Sequence, residues 1–577
     1  MRIYSLGLLC VYAAGMALAG TTETTEKAAI GYGSPEQKIA MWIWSDKYTY
    51  RAGENLTLKW TVKTNGDLYP YTTYIYRQNN QTGKKVYLPA NSETLPDNVN
   101  PASVKDAAKA DLATVSVPDE PGMHTLVVQL RDYSGTRVLK AAYMKIGVVT
   151  EQVTVSAPIT TNTTWVNTKS YLIRGIVPVK NGATLTIEPG TIVQGASGSE
   201  PPSALIVTRE GKIAADGTKS RPIVFTSAQP FGQRKRGDWG GLVMLGKAPI
   251  NVAANTNGNT NGAGTFYIEG MTASDDGLYG GADENHNCGS LSYVRVEYAG
   301  SILSPNNELN SFTWGGCGKG TKVHHLQALY GLDDSFEWFG GTMDAKYLIG
   351  GLGADDYVDY QLGWTGRLQY GIFYQSPDSR GNRGVEGDNS EYNNAATPFS
   401  NPTMYNLTFI GSGQPGFDEA NSPGIFLRRG ARATINNVAV TNFYSSAVEF
   451  TDANTQAQMD QGNIVMNGFL AWNNNLGANG ANTLTGQIAN APTLAYAQGT
   501  RGDGAAKNFV VTDPMLLRPF EYSDPNFRGR FGSPLFRAGW VSAPDDGFFD
   551  QTATFIGGIG DDDWTEEWTN LLTETDI

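Results

Sequence analysis

The sequence predicts an all-β chain: an immunoglobulin-like β-sandwich followed by a large right-handed parallel β-helix. Three observations carry this. The 577 residues include 68 Gly and 27 Pro, with 40% hydrophobic and 17% charged residues, the profile of a turn-rich β protein. Helical periodicity is hard to find, whereas short alternating or β-branched runs recur between Gly, Asn and Pro. Phrases also return at a fixed interval: "GLDDSFEWFGG" begins at Gly331 and "GADDYVDYQLGWTG" at Gly353, so Asp356 follows Asp334 by 22 residues.

Taken in order, "MRIYSLGLLCVYAAGMALAG" has a basic Arg2, an apolar run too short to span a membrane, and Ala17-Leu18-Ala19 as a small-residue cleavage site. Residues 1–19 therefore read as a signal peptide, and a secreted, extracellular or outer-surface location follows. Leu9 stands before Cys10 where a lipoprotein signal needs a small residue, which disfavours a lipid anchor. Residues 20–37 are small and polar, a flexible lead. Residues 38–149 hold about seven short strands; in "NLTLKWTVK" Leu56, Leu58, Trp60 and Val62 share one face. That pattern gives the sandwich.

After residue 150 the text changes. "TLTIEPGTIVQG" (184–195), "RPIVFTS" (221–227) and "WGGLVML" (239–245) are β-branched runs broken by Gly, Asn or Pro, as a parallel β-helix requires at its turns. These phrases resemble the right-handed β-helices of the pectin-lyase-like superfamily, and more closely a broad group of secreted bacterial proteins carrying such motifs. "FIGGIGDDDWTEEWTNL" (555–571) resembles that group's terminal segment, so 150–577 is read as a β-helix with long loops and a C-terminal cap. The resemblance implies the fold and assigns no biochemical role.

Aligning "SFEW", "YVDY", "GVEG" and "AVEF" places Glu337, Asp359, Glu386 and Glu449 on one column, with Phe426 between the last two. Strand alternation sends the neighbours inward and the carboxylates outward. Carboxylates one coil apart, about 4.8 Å, repel by roughly 1 kcal/mol in water and more where solvent is excluded. Calcium is the natural compensator, with Asp333, Asp334, Glu337, Asp355, Asp356 and Asp359 as its ligands. Pairing with Lys346, Arg367 or Arg383, protonation, or an Asp-Asp turn whose second side chain faces water stay open beside it. Asp275, Asp276, Asp283 and Glu284 form a second acid-rich loop, read first as solvated.

Cys288 and Cys317, the cysteines left after cleavage, predict one disulfide holding a long insertion that starts near residue 251. His324 and His325 are adjacent on a strand, so they should face opposite sides and not share a metal. Trp314, Trp338 and Trp364 read mainly as core. A charge of −13 argues against nucleic acid and anionic lipid. No catalytic residue is assigned: Arg383, Arg428 and Arg429 are ingredients of lyase chemistry, but the Gly-His-Gly and R-I-K signatures of the polygalacturonase-like branch are absent. The expected function is a structural and binding protein for extracellular polysaccharide or cell-surface components, stabilised by calcium; the alternative is a calcium-dependent lyase or other carbohydrate-active enzyme acting on acidic polysaccharide.

Overall fold

The computed structural model describes residues 39–571 apart from 65–70, 88–108, 133–137, 257–261, 272–273, 305–306, 379–380, 415–421, 505–506, 523–524 and the single positions 479, 481, 489, 503 and 538. The expected signal and lead, 1–37, lie outside the described residues.

The first unit is built from two sheets. Strands Ile39–Ser45, Asn55–Thr64 and Lys109–Ser116 form one; Thr49–Arg51, Val138–Val149, Gly122–Asp132, Tyr71–Asn79 and Lys85–Tyr87 form the other. Alternation decides what meets between them: Leu56, Leu58 and Trp60 are buried with Ile75, Leu126, Val128 and Ile146 from the second sheet, while Lys59 points to water.

From Glu151 the chain winds as a parallel β-helix. Each coil gives a strand to a 15-stranded sheet and a shorter strand to a 9-stranded sheet. Thus Lys322–Leu329, Asp344–Gly351 and Arg367–Tyr374 stack in the first, and Phe336–Phe339, Val358–Gln361 and Val385–Asp388 in the second. Inside the coils Trp314 stacks on Trp338 at 4.9 Å and Trp338 on Trp364 at 4.5 Å, all three buried.

The longer strands bend at one column. Tyr293, His325, Tyr347, Tyr370, Asn406, Asn437 and Gly468 occupy equivalent positions, each with φ between +49° and +66°. The left-handed residue turns the strand and leaves side chains stacked: Tyr293 on His325 at 4.4 Å, His325 on Tyr347 at 4.3 Å, Tyr347 on Tyr370 at 4.9 Å. This corrects the expectation for the histidine pair. Because His325 is left-handed rather than extended, its ring lies beside that of His324, with the two Nδ1 atoms 2.9 Å apart. His325 is a member of an aromatic stack, and burial drives its pKa down to about 3.

A C-terminal segment runs back along this column. Val541 exchanges hydrogen bonds with Asn437, Asn406 donates to the Phe555 carbonyl, and Asn570 bonds Gln327. Asn570 also donates to Tyr48 of the first unit at 3.1 Å. No helix among the described residues is long and apolar enough to cross a membrane.

Candidate functional site

The outer face of the 9-stranded sheet changes character along its length. Pairing carries one position from Pro178 through Ile206, Val243 and Thr313 to Glu337, Asp359, Glu386, Phe426 and Glu449. The spacings in the sequence thus give the register of the acidic column correctly. Over the apolar half lies the insertion: Ile250, Val252, Ile268, Met271 and Tyr279 pack on Ala204, Ile206, Val243 and Leu245. Its far end is tied by the buried Cys288–Cys317 disulfide.

The acids themselves are covered. They point away from the stack, as expected, but not into solvent: Glu337 is 5% exposed, Asp359 8% and Glu386 7%. Asn310, in the turn just before the strand Phe312–Gly315, donates its amide to Glu337, and Gln361 donates to the other oxygen at 3.0 Å. Burial first, then Glu269 nearby, pushes Glu337 well above the usual carboxylate range, with both amides pulling the other way.

The paired aspartates divide their work. Asp334 and Asp356 are buried, against the expectation that the second acid of each pair faces water. They stand on a column Asn310, Asp334, Asp356, Arg383, in which each side-chain oxygen accepts the backbone N–H of the next coil: Asp334 to Asn310 at 3.2 Å, Asp356 to Asp334 at 2.9 Å, Arg383 to Asp356 at 2.5 Å. In a solenoid the nearest donor needing a partner belongs to the equivalent residue one coil on, not to the aspartate's own turn. Asp333 and Asp355 are half-buried at the rim. Asn310 escaped the sequence reading, although its interval of 24 residues before Asp334 is close to the 22 between Asp334 and Asp356 and signals it.

Side-chain oxygens converge in three overlapping groups, Asp333–Asp334–Asp355, Asp334–Glu337–Asp359 and Asp356–Asp359–Glu386, each set within 4.8 Å of one another. Shared members make one seam of seven carboxylates. Positive charge reaches one end of it. Arg383 Nη1 meets Glu386 at 2.6 Å and Asp356 at 3.4 Å, and Arg428 meets Glu386 at 2.6 Å and Asp388 at 2.8 Å. Both guanidiniums also face the Phe426 ring, at 4.6 and 5.8 Å, where the acidic column is interrupted. Of the three cations proposed from sequence as partners of the acids, Lys346, Arg367 and Arg383, it is Arg383 that joins the seam: Arg367 pairs with Asp344 and Asp546, and Lys346 lies over Phe548.

The middle of the seam has no such relief. Burial, then Glu337 and Glu386, raises Asp359 well above its ordinary value, and its buried Oδ1 has no hydrogen-bond partner among the described residues. Asp334 is raised by burial and by Asp333. Glu386 is pushed up to about 8 by burial and Asp356, against Arg383 and Arg428. Three buried carboxylates with one orphaned oxygen fit a hard divalent cation, which takes carboxylate and carbonyl oxygens together.

The second acid-rich loop gathers no comparable group among the described residues. Asp276 pairs with Lys180 at 2.9 Å, Asp283 lies 3.9 Å from His286, and Glu284 lies 3.9 Å from Lys319.

Solved structures similar in part include a Family 28 exopolygalacturonase from Yersinia enterocolitica, 13% identical over 75% of this chain and 92% of that one, TM-score 0.21. The CARDB domain of a Pyrococcus furiosus protein in complex with di-metal ions is 12% identical over 21% of this chain and 94% of its own, TM-score 0.14. A chitin binding domain from Burkholderia pseudomallei is 17% identical over 18% of this chain and 55% of its own, TM-score 0.13. No curated protein matches the chain. Residues 157–511, more than half of the sequence and all of the seam, match the pectate-lyase like beta helix domain, and the chain belongs to that family.

Proposed function

We propose that the protein is an extracellular, glycan-binding scaffold whose acidic seam holds calcium, rather than an enzyme that cleaves polysaccharide at that seam. The observation that carries this reading is burial. A lyase needs its metal and its basic side chain open to a polymer, so that the metal acidifies a sugar proton and the base removes it. Here Glu337, Asp359 and Glu386 are buried, and Arg383, the nearest base, is 4% exposed and engaged by Asp356 and Glu386. The same burial favours a cation as a structural element: in the Asp334–Glu337–Asp359 group a calcium ion replaces protons that burial otherwise retains. The signal-like amino terminus and the family's carbohydrate-associated fold support the location and the ligand class.

Thermal melting with calcium, against the same protein in chelator, tests the cation. An ion bound to the native state stabilises by about 2.7 kcal/mol at a hundredfold excess over Kd, so melting rises by several degrees. An unchanged melting temperature removes calcium from the proposal. Incubation with a panel of polyuronates and calcium tests the rest: a rise in ultraviolet absorbance from unsaturated products would overturn the scaffold reading.

A further inference from the structure

We infer that a cleft on the turn side of the last coils is a binding site for a neutral oligosaccharide. The inference rests on the glycan-binding reading and names the place where binding occurs. The cleft, about 400 Å³, lies between the turns that follow the strands Ala433–Thr441 and Ile464–Trp472 and the hairpin Leu516–Arg518/Asn526–Gly529. That volume is in the usual range for small-ligand sites.

Its walls are held in place before any ligand arrives. Asp513 accepts the N–H of Met515, a residue at φ +54°; Arg530 N–H bonds the Met515 carbonyl at 2.8 Å; Ser533 donates to the Pro514 carbonyl at 2.6 Å. Opposite, Asn442 and Asn473 are left-handed turn residues joined as a ladder, Asn473 Nδ2 to Asn442 Oδ1 at 2.6 Å and Asn442 Nδ2 to the Gly411 carbonyl at 3.1 Å. A site with fixed walls loses little entropy on binding.

The chemistry of the walls selects the ligand. Trp472 and Phe520 both line the cleft, and among the described residues neither ring stacks on another, whereas Trp314, Trp338 and Trp364 are stacked inside the coils. Phe520 is 47% exposed. An aromatic face in a wet cleft suits the C–H face of a sugar ring. Trp472 Nε1–H and Asn473 Oδ1, on consecutive residues, have no hydrogen-bond partner among the described residues, so the pair offers a donor beside an acceptor. A hydroxyl satisfies both, because it accepts and donates at once. Arg518 and Arg530 are matched by Asp513 and Glu521, which leaves the cleft formally neutral and points to an uncharged glycan rather than a uronate.

Calorimetric titration of the full chain with cello-, laminari-, malto-, manno- and N-acetylchito-pentaose, beside pentagalacturonate, tests this. Saturable binding of at least one neutral pentasaccharide is expected, weakened about fivefold to tenfold by Trp472→Ala and by Phe520→Ala. Should Trp472→Ala fail to fold, the exposed Phe520→Ala decides alone. Binding of a neutral sugar that both folded variants retain in full overturns the cleft while leaving the glycan-binding reading intact. Binding of pentagalacturonate alone overturns the neutral ligand. No binding of any probe overturns both.

Discussion

Asp359 shows how position outweighs residue type. On an exposed strand it would ionise with little consequence; between Glu337 and Glu386, with Oδ1 unpartnered, its charged form is disfavoured by burial and by two like charges. The sign of the resulting pH dependence follows from linkage. A carboxyl whose folded pKa lies above its unfolded value binds more protons when native, so its stabilising contribution is full below the unfolded value near 4 and is lost as pH rises through the folded one. With Asp334, Glu337 and Asp359 all raised and Glu386 near 8, melting in chelator should fall from pH 5 to pH 8. Calcium should flatten that fall, since it takes over from the protons. Asp359→Asn removes the orphaned charge: in chelator at pH 8 the variant should melt higher than the parent, and addition of calcium should raise its melting temperature by less than half as much. The acids themselves were legible from residue spacing. Their burial was not, because it depends on groups remote in sequence, such as Asn310 and Glu269 beside Glu337, whose place over the sheet has no signature in local pattern.

At the level of the elements, the short strands were easy to read and the long ones were not. "SFEW" and "YVDY" alternate cleanly, so the inward Phe336 and Trp338 and the outward Glu337 follow from period two. The bend at Tyr293, His325, Tyr347 and Tyr370 breaks that period at a single residue, using side chains that local rules place elsewhere. A left-handed tyrosine costs about 1–2 kcal/mol; stacking one coil on the next returns about 0.5–1.5 kcal/mol per pair. The stacking offsets only part of that cost and exists only between coils, which explains why no single coil of sequence reveals the conformation. Asn406 and Asn437, which tolerate such angles, continue the column where rings end. The inner stack predicts a specific loss: Trp338→Ala deletes the middle ring of Trp314–Trp338–Trp364 and should cost about 3–5 kcal/mol. The check is the denaturation midpoint, together with faster amide exchange in Phe312–Gly315 and Val358–Gln361 than in the first unit.

For the whole molecule, the decisive feature is the segment that returns along the bend column. Trp564 meets Tyr347 and His325 edge-on, Trp568 meets Tyr293 and His325, and Trp568 is fully buried. Truncation after residue 540 should therefore expose the tyrosine column. Amide exchange should quicken along Gly289–Glu297, Lys322–Leu329 and Asp344–Gly351, with binding of a hydrophobic dye, while the seam keeps its calcium response. Equal exchange in both forms would show the segment to be ornamental.

A stack of coils is in essence a line, and a line of nearest-neighbour contacts unravels from its free ends. The hydrogen bond from Asn570 to Tyr48 joins positions 522 residues apart and turns that line into a ring. The returning segment touches several coils at once, so loosening one of them costs its contacts with that segment as well as with its stack neighbours. The cost of closing so long a loop grows only with the logarithm of its length. Heat should then break the latched protein in one cooperative transition, where the bare solenoid would fray coil by coil.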